Sequence, residues 1–185
     1  MKETLLKDKI SIKLKACTNC KLQCRSGGIS GYGNPDSKTV LIGEAPGETE
    51  VETGIPFTGK AGQLLIQTLN LFGVSRNDVY ITNIVKCHPP RNRQPEAIEI
   101  GSCIKYLYDE LYIIKPSTIV LLGSIALFGI LNKQTITSYR GQWTMWYDLK
   151  VMPTFHPSYC LEGRDNYKNH YELFIQDLAK VFTNK

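Results

Sequence analysis

The chain has 185 residues, 42% hydrophobic and 21% charged, a balance that suits one ordinary globular domain over residues 1–185 and excludes a disordered, fibrous or disulfide-knotted chain. Its net charge of +5 is compatible with a polyanionic partner without being diagnostic of one, because many soluble enzymes carry as much on a solvated face. The N-terminus mixes acids among its lysines, and the longest apolar stretch, Ile119 to Leu131, is interrupted at Gly123-Ser124 and falls short of the roughly 20 residues that a bilayer span needs. The expectation is a cytoplasmic protein with no secretory signal, transit peptide or transmembrane helix.

The elements follow from periodicity. Thr39-Val40-Leu41-Ile42-Gly43 is a β-branched run ending in glycine; a Gly/Pro-rich loop follows, and Ala61, Leu64, Leu65, Thr68, Leu69 and Phe72 then recur at helical spacing, which predicts strand, loop and helix. Gly73 sits where a left-handed cap belongs, and Asp78 to Asn83 supplies a second strand. Pro95 suits the first turn of a helix carrying Ile100, Cys103, Ile104, Leu107, Leu111 and Ile114, and Pro116 stops it. Thr118 to Leu122 is the third strand, Ile125 to Leu131 a short helix and Val151 to Phe155 the fourth strand, while Tyr167, Tyr171, Phe174, Ile175, Leu178 and Phe182 stripe a final helix. The segment from Tyr139 to Asp148 shows the weakest pattern, and no repeat or linker is visible.

This alternation predicts an α/β fold, a three-layer α/β/α sandwich around a four-stranded, mainly parallel sheet. Ligands of such sheets gather at the carboxyl ends of the strands. Gly43-Glu44, Asn83, Gly123-Ser124 and His156 all follow strands, so they converge on one edge and mark a single cleft.

Four of the six cysteines fall as Cys17-x2-Cys20 and Cys87-x15-Cys103. Thiols stay reduced in the cytoplasm, so paired cysteines there are more often metal ligands or redox centres than disulfides. A lone Cys-x2-Cys is shared by redox pairs and half zinc sites. A zinc ribbon repeats the tight unit, whereas the wide second spacing places one ligand on a loop and one on a helix, which suits an iron–sulfur cluster. Ordinary buried thiols and a zinc site stay open on spacing alone; Cys24 and Cys160 look like spare thiols.

The loop around Glu44 resembles phosphate-cradling turns without either nucleotide-binding glycine signature. Phe57, flanked by Pro56 and Gly59, reads by composition as core packing first and as a cleft residue second. Asn83 reads either as a turn residue or as a fixed amide whose acceptor and donor complement N3–H and O4 of uracil and mismatch cytosine. Leaving such groups unpaired costs roughly 1–3 kcal/mol each, whereas excluding thymine needs a steric wall. Of the three histidines, His88 and His170 are expected to face solvent, and only His156, at a strand end, has a catalytic context.

Cys17, Cys20, Cys87 and Cys103, with Gly43-Glu44-Ala45-Pro46-Gly47, Thr82-Asn83 and His156-Pro157-Ser158, resemble the family 4 uracil-DNA glycosylases over nearly the whole chain. The resemblance implies a [4Fe-4S] cluster of structural role on the four cysteines, a pocket lined by the backbone of Gly43, Glu44 and Ala45, Phe57 stacking on the base and Asn83 reading its edge. Glu50 resembles the residue that crowds the thymine methyl. The third motif departs from the family: Glu162 stands where an arginine is usual in the loop that enters the minor groove, and Arg164 lies two residues beyond. Glu44, where broader-range relatives carry an apolar residue, favours uracil as substrate.

The implied reaction is base excision: a deoxyuridine is flipped out of DNA and its glycosidic bond hydrolysed to an abasic site. His156 is the expected donor to the departing base, and Glu44 either places water or stabilises the sugar cation. Phosphate contacts are expected from Lys86, Arg91, Arg93, Arg164 and Lys168. The expected partner is uracil-containing DNA, single- or double-stranded, bound by a monomer; a sliding clamp as a further partner finds no support in these residues. Two other classes stay open on the residues alone: an iron–sulfur electron carrier or redox sensor, which leaves Asn83 and His156 idle, and a zinc-stabilised DNA-binding module without catalysis.

Overall fold

Side chains that alternate along the central strands sort themselves between two helical layers. The structure, a computed structural model, describes residues 1–22 and 27–183. Strands β1 (Tyr32–Gly33), β2 (Thr39–Gly43), β3 (Tyr80–Asn83), β4 (Thr118–Leu122), β5 (Thr144–Trp146) and β6 (Leu149–Thr154) form one sheet in the order β1-β3-β2-β4-β6-β5. The four inner strands are parallel, and β1 and β5 are antiparallel edges. The inner four are the strands expected from periodicity. The two edge strands have two and three residues, too few to display an alternation.

The helices are α1 (Lys2–Leu6), α2 (Ile12–Lys15), α3 (Glu48–Thr53), α4 (Lys60–Asn70), α5 (Ala97–Ile114), α6 (Ser124–Leu131), α7 (Ile136–Tyr139) and α8 (Tyr167–Phe182), with a π-helical turn, Lys7–Ser11, joining α1 to α2. On one sheet face Val40, Ile42, Ile119, Leu121 and Val151 pack against Leu6, Ile10, Leu14, Leu107, Leu111 and Leu127. On the other Leu41, Ile81, Val120 and Leu122 pack against Leu65, Leu69, Phe174 and Leu178. Consecutive strand residues thus serve opposite layers, and the fold is the expected three-layer sandwich.

Boundaries depart from the sequence reading where local side chains intervene. Strand β3 begins at Tyr80 rather than Asp78, because Asp78 accepts hydrogen bonds from the Ser75 amide (2.7 Å) and hydroxyl (2.6 Å), closing a 3-10 turn over Arg76–Asp78. Pro95 precedes the N-cap Glu96 of α5 instead of occupying its first turn, and Lys115, at φ 55°, ends that helix before Pro116. The weakly patterned segment begins at the last residue of α7 and runs into a hairpin, in which Trp146 pairs with Leu149 across Tyr147-Asp148. Among the described residues no helix is long and apolar enough to cross a membrane.

A buried ion pair sits under the sheet's carboxyl edge and corrects one expectation. Lys86 is fully buried, donating to Glu110 Oε2 (2.7 Å) and Thr82 Oγ1 (2.6 Å). Glu110 also accepts from the Thr82 hydroxyl (2.7 Å) and the Gly31 amide (2.8 Å). Lys86 is therefore removed from the DNA-contacting residues: its charge is committed to a carboxylate in the interior, where solvent and phosphate do not reach. Breaking one side of such a pair strands a buried charge and costs about 3–5 kcal/mol. Lys86→Met is expected to lose that much stability in urea unfolding, and adding Glu110→Leu to it should recover part of the loss; a single-variant loss under ~1 kcal/mol would contradict the buried pair.

Candidate active site

Parallel pairing brings four strand ends into line. Gly43 ends β2 opposite Asn83, which ends β3; Gly123 follows β4, and His156 follows β6 by two residues. Two glycines make the approach close enough. A Cβ on Gly43 would lie 2.4 Å from the Phe57 ring and 2.5 Å from Asn83 Oδ1, and one on Gly123, at φ 90°, would lie 2.8 Å from the Cβ of His156. The end of β6 is anchored from below by Thr154, whose hydroxyl donates to the buried Asp177 at 2.7 Å.

The cleft at this edge is a cavity of about 360 Å³, lined by Glu44, Ala45, Glu50, Phe57, Asn83 and His156, within the size range of small-ligand sites. Asn83 is only 3% exposed, and its Oδ1 is buried without a hydrogen-bond partner. A buried acceptor left unpaired costs about 1–3 kcal/mol, so this atom is set for a donor that arrives with a ligand. Burial pushes the Glu44 carboxyl up to about 7. Burial lowers the His156 imidazole to about 4, with Glu50 acting weakly in the other sense, so the ring is neutral at physiological pH.

The tautomer of His156 follows from its neighbours. The Ser158 amide donates to Nδ1 at 3.2 Å, and the Ser158 hydroxyl lies 2.8 Å from the same atom. A backbone N–H is only ever a donor, so Nδ1 is the acceptor and the single ring proton resides on Nε2. The Phe57 ring lies beside His156, with centroids 5.8 Å apart.

Glu50 plays a part that its place in the sequence does not reveal. It is nearly buried, and its carboxylate accepts from the amides of Thr58 (2.9 Å), Gly59 (2.8 Å) and Gly47 (3.0 Å). The anion thereby ties the start of α3 to the loop before α4 and stiffens the cavity wall, which it also lines.

The basic residues divide. Arg91 is exposed in the 3-10 turn after β3, at φ 57°; Arg164 is exposed at the cavity rim; and Lys168 is exposed in the first turn of α8. Arg93 lines the cavity but is held by both oxygens of Glu99, at 2.8 and 2.6 Å. Glu162 is exposed. His88, expected in solvent, instead lines the cavity, its Nε2 2.9 Å from Asn92 Oδ1. His170 is half-buried against the Phe155 ring at 4.6 Å. Asn92, Ser158 and Tyr159 also line the cavity; they lie in short 3-10 turns where no period marks them, and only the place of Ser158 and Tyr159 beside His156 pointed toward the site.

A second gathering involves the cysteines, none of which, among the described residues, lines the cavity. Burial raises the Cys103 thiol, and the nearby Cys20 and Cys17 add to the shift while the Lys86 amide and ammonium oppose it. Three cysteines are therefore neighbours across the loop after α2 and helix α5. The Lys86 amide donates to Cys103 Sγ and Asn19 Nδ2 to Cys17 Sγ, both at 3.2 Å. Cys87 is disulfide-bonded. No group of three or more His, Cys, Asp or Glu side chains among the described residues converges on a point suited to a single metal ion. Cys160 is buried and free, as a spare thiol should be, and burial pushes it up to about 12; Cys24 lies outside the described residues.

Residues 30–179 match the model of the uracil DNA glycosylase superfamily. The chain is 43% identical to a type-4 uracil-DNA glycosylase of Thermotoga maritima over 95% of its own length and 94% of that protein. It is 41% identical to the type-4 enzyme of Sulfurisphaera tokodaii, over 94% of this chain and 82% of that one. The type-4 enzyme of Saccharolobus solfataricus matches at 41% over 83% of this chain and 76% of its own. With the cleft, its glycines and its buried amide arranged on one sheet edge, these matches lead to one assignment: the chain belongs to the uracil-DNA glycosylase superfamily, among the type-4 enzymes.

Proposed function

We propose that this protein removes uracil from DNA by hydrolysing the bond between N1 of the base and C1′ of the deoxyribose, leaving an abasic site. The observation that carries the choice of base is the buried, unpaired Oδ1 of Asn83 in the cavity wall. It suits the N3–H of uracil while the neighbouring NH2 suits O4; cytosine presents an acceptor and a donor in the opposite places. An extruded nucleotide would stack on Phe57 against the backbone of Gly43, Glu44 and Ala45. The loop held by Glu50 forms the rigid wall that crowds the methyl group of thymine.

As the bond breaks, the sugar gains cationic character and the base keeps the electron pair, with charge spread onto O2. A preorganised neutral donor at that oxygen stabilises the charge, and the Nε2–H of His156 supplies it. A water adds its hydroxyl to C1′, and its remaining proton leaves through Glu44 or solvent. A carboxyl group near 7 is matched to accepting a proton at neutral pH, and the same anion stabilises the sugar cation. Arg91, Arg164 and Lys168 are the phosphate contacts in this reading, and Arg93 contributes less because Glu99 already neutralises it.

The cysteine donor set suits a [4Fe-4S] cluster, which Cys17, Cys20, Cys103 and, in its thiolate form, Cys87 would hold. Thiols spread over separate elements with the wide Cys87-x15-Cys103 spacing suit a cluster better than a zinc ribbon, which repeats a tight Cys-x2-Cys unit. Such a group supplies a cross-link between the loop after α2, the loop after β3 and α5. Iron and acid-labile sulfide should accompany the purified protein, and Cys103→Ser should lose both together with visible absorption; stoichiometric zinc in place of iron would defeat the cluster.

Base release from oligonucleotides carrying a single U, T, C or hypoxanthine tests the reaction directly. Selective release of uracil is expected, and His156→Ala and Asn83→Ala should each slow it by about 10²–10³ while both variants still fold cooperatively. Equal release of cytosine and uracil would remove Asn83 from base reading.

Glu44 should govern the pH profile. Only its ionised form serves either role, so kcat/KM should rise with pH through about 7, and Glu44→Gln should abolish that limb. The stability effect has the opposite sign. Because the folded-state value exceeds the ordinary 4.5, the native state holds more protons between those values, and the group's contribution falls as pH rises from 4.5 to 7. Glu44→Gln should gain stability relative to the parent across that window; a constant difference would show that Glu44 titrates normally.

A further inference from the structure

Phe57 is one of the few non-glycine residues with positive φ, at 58°, a conformation that a bulky side chain rarely adopts unless its surroundings over-determine it. Here the surroundings are specific. Arg76, nineteen positions along the chain, donates from Nη1 to the Phe57 carbonyl at 2.9 Å and from Nη2 to the Pro56 carbonyl. One planar guanidinium can take two successive carbonyls only when both point the same way, which extended backbone does not allow. The next two amides, Thr58 and Gly59, are taken by a single oxygen of Glu50. The peptide segment 56–59 is thus held by a cation on its carbonyl side and an anion on its amide side. Gly62 completes the seat, because a Cβ there would stand 2.1 Å from the Phe57 carbonyl carbon and oxygen. Arg76 is in turn steadied by the Tyr32 ring, 5.4 Å from its guanidinium carbon, and it is not among the cavity-lining residues.

We propose that Arg76 is a positioning residue for uracil recognition: it touches no substrate and acts by holding the Phe57 backbone so that the ring lies over Gly43 and beside His156. The proposal rests on the reading that Phe57 stacks on the base. Nothing in the local sequence marks Arg76, which stands in the turn before β3 and would otherwise be taken for a surface cation. It presents no positive charge to DNA, since its fork is already engaged with backbone carbonyls, and its removal should leave phosphate binding alone.

The test is inhibition of the iron-replete enzyme by free uracil, with binding to a duplex carrying an abasic-site analogue measured in parallel. Base–aromatic stacking is worth about 1–3 kcal/mol, so Phe57→Ala should weaken uracil inhibition roughly 10- to 100-fold. Arg76→Met should weaken it about tenfold, within the same range, while duplex affinity stays within about twofold of the parent. Arg76→Lys, which retains charge but lacks the fork, should fall between. In the Phe57→Ala background Arg76→Met should add less than about twofold, because a residue that works through the ring has nothing to position once the ring is gone. Full additivity in that background overturns the proposal, as does unchanged inhibition in both Arg76 variants while Phe57→Ala remains defective. If Phe57→Ala itself inhibits normally, the stacking reading falls and the proposal falls with it, a result distinct from either of the others. Should Arg76→Met fail to fold, Arg76→Lys measured in both backgrounds separates the same outcomes.

Discussion

The pair formed by Lys86 and Glu110 joins three parts of the molecule that the chain keeps far apart. Through Thr82 it grips β3 one residue before Asn83; through Gly31 it grips the approach to β1; through Glu110 itself it is seated on α5, the helix that carries Cys103. Both partners are completely buried, so the desolvation cost is offset only by short contacts that satisfy each charged group. An apolar replacement of similar volume could fill the same space, but it would not tie the register of β3 to α5. The amide of Lys86 meanwhile donates to Cys103, which places the cysteine thiols and strand β3 on one unit.

The site built on that unit is tuned by burial more than by neighbouring charge. Desolvation is the leading cause of both large shifts in the cavity, and it acts in opposite senses: it makes the acid Glu44 harder to ionise and the base His156 harder to protonate. In the proposed reaction, a poised carboxyl group and a neutral donor in one cleft would serve the two sides of the N-glycosidic bond. Ser158 then selects which imidazole nitrogen carries the proton, so the two-residue spacing after His156 also fixes the tautomer of the ring.

Strain in the cavity wall is held by polar contacts from outside it. Phe57 keeps a backbone conformation unusual for its type, and the loop around it is stitched by the Glu50 carboxylate. Burial of the ring alone would not fix the backbone at Phe57, because the hydrophobic effect is non-directional. Hydrogen bonds to the flanking peptide groups do.

Alternation of apolar residues and glycines placed after strands are local signals, so the sandwich, the four parallel strands and the edge at which the site lies were legible in the chain itself. The residues named from the strand ends, Glu44, Asn83 and His156, reach the same cavity for that reason. The short edge strands and the hairpin across Tyr147-Asp148 were not legible, since two or three residues display no period. The use of charge was settled in three dimensions alone. Lys86 reads in sequence as one more cation in a basic stretch near Arg91 and Arg93, yet it is buried against a carboxylate twenty-four positions away, while Arg93 is neutralised by Glu99 and Arg91 stays in solvent. Whether a charged side chain meets water, phosphate or an interior partner depends on what the rest of the chain brings to it, and composition holds no record of that.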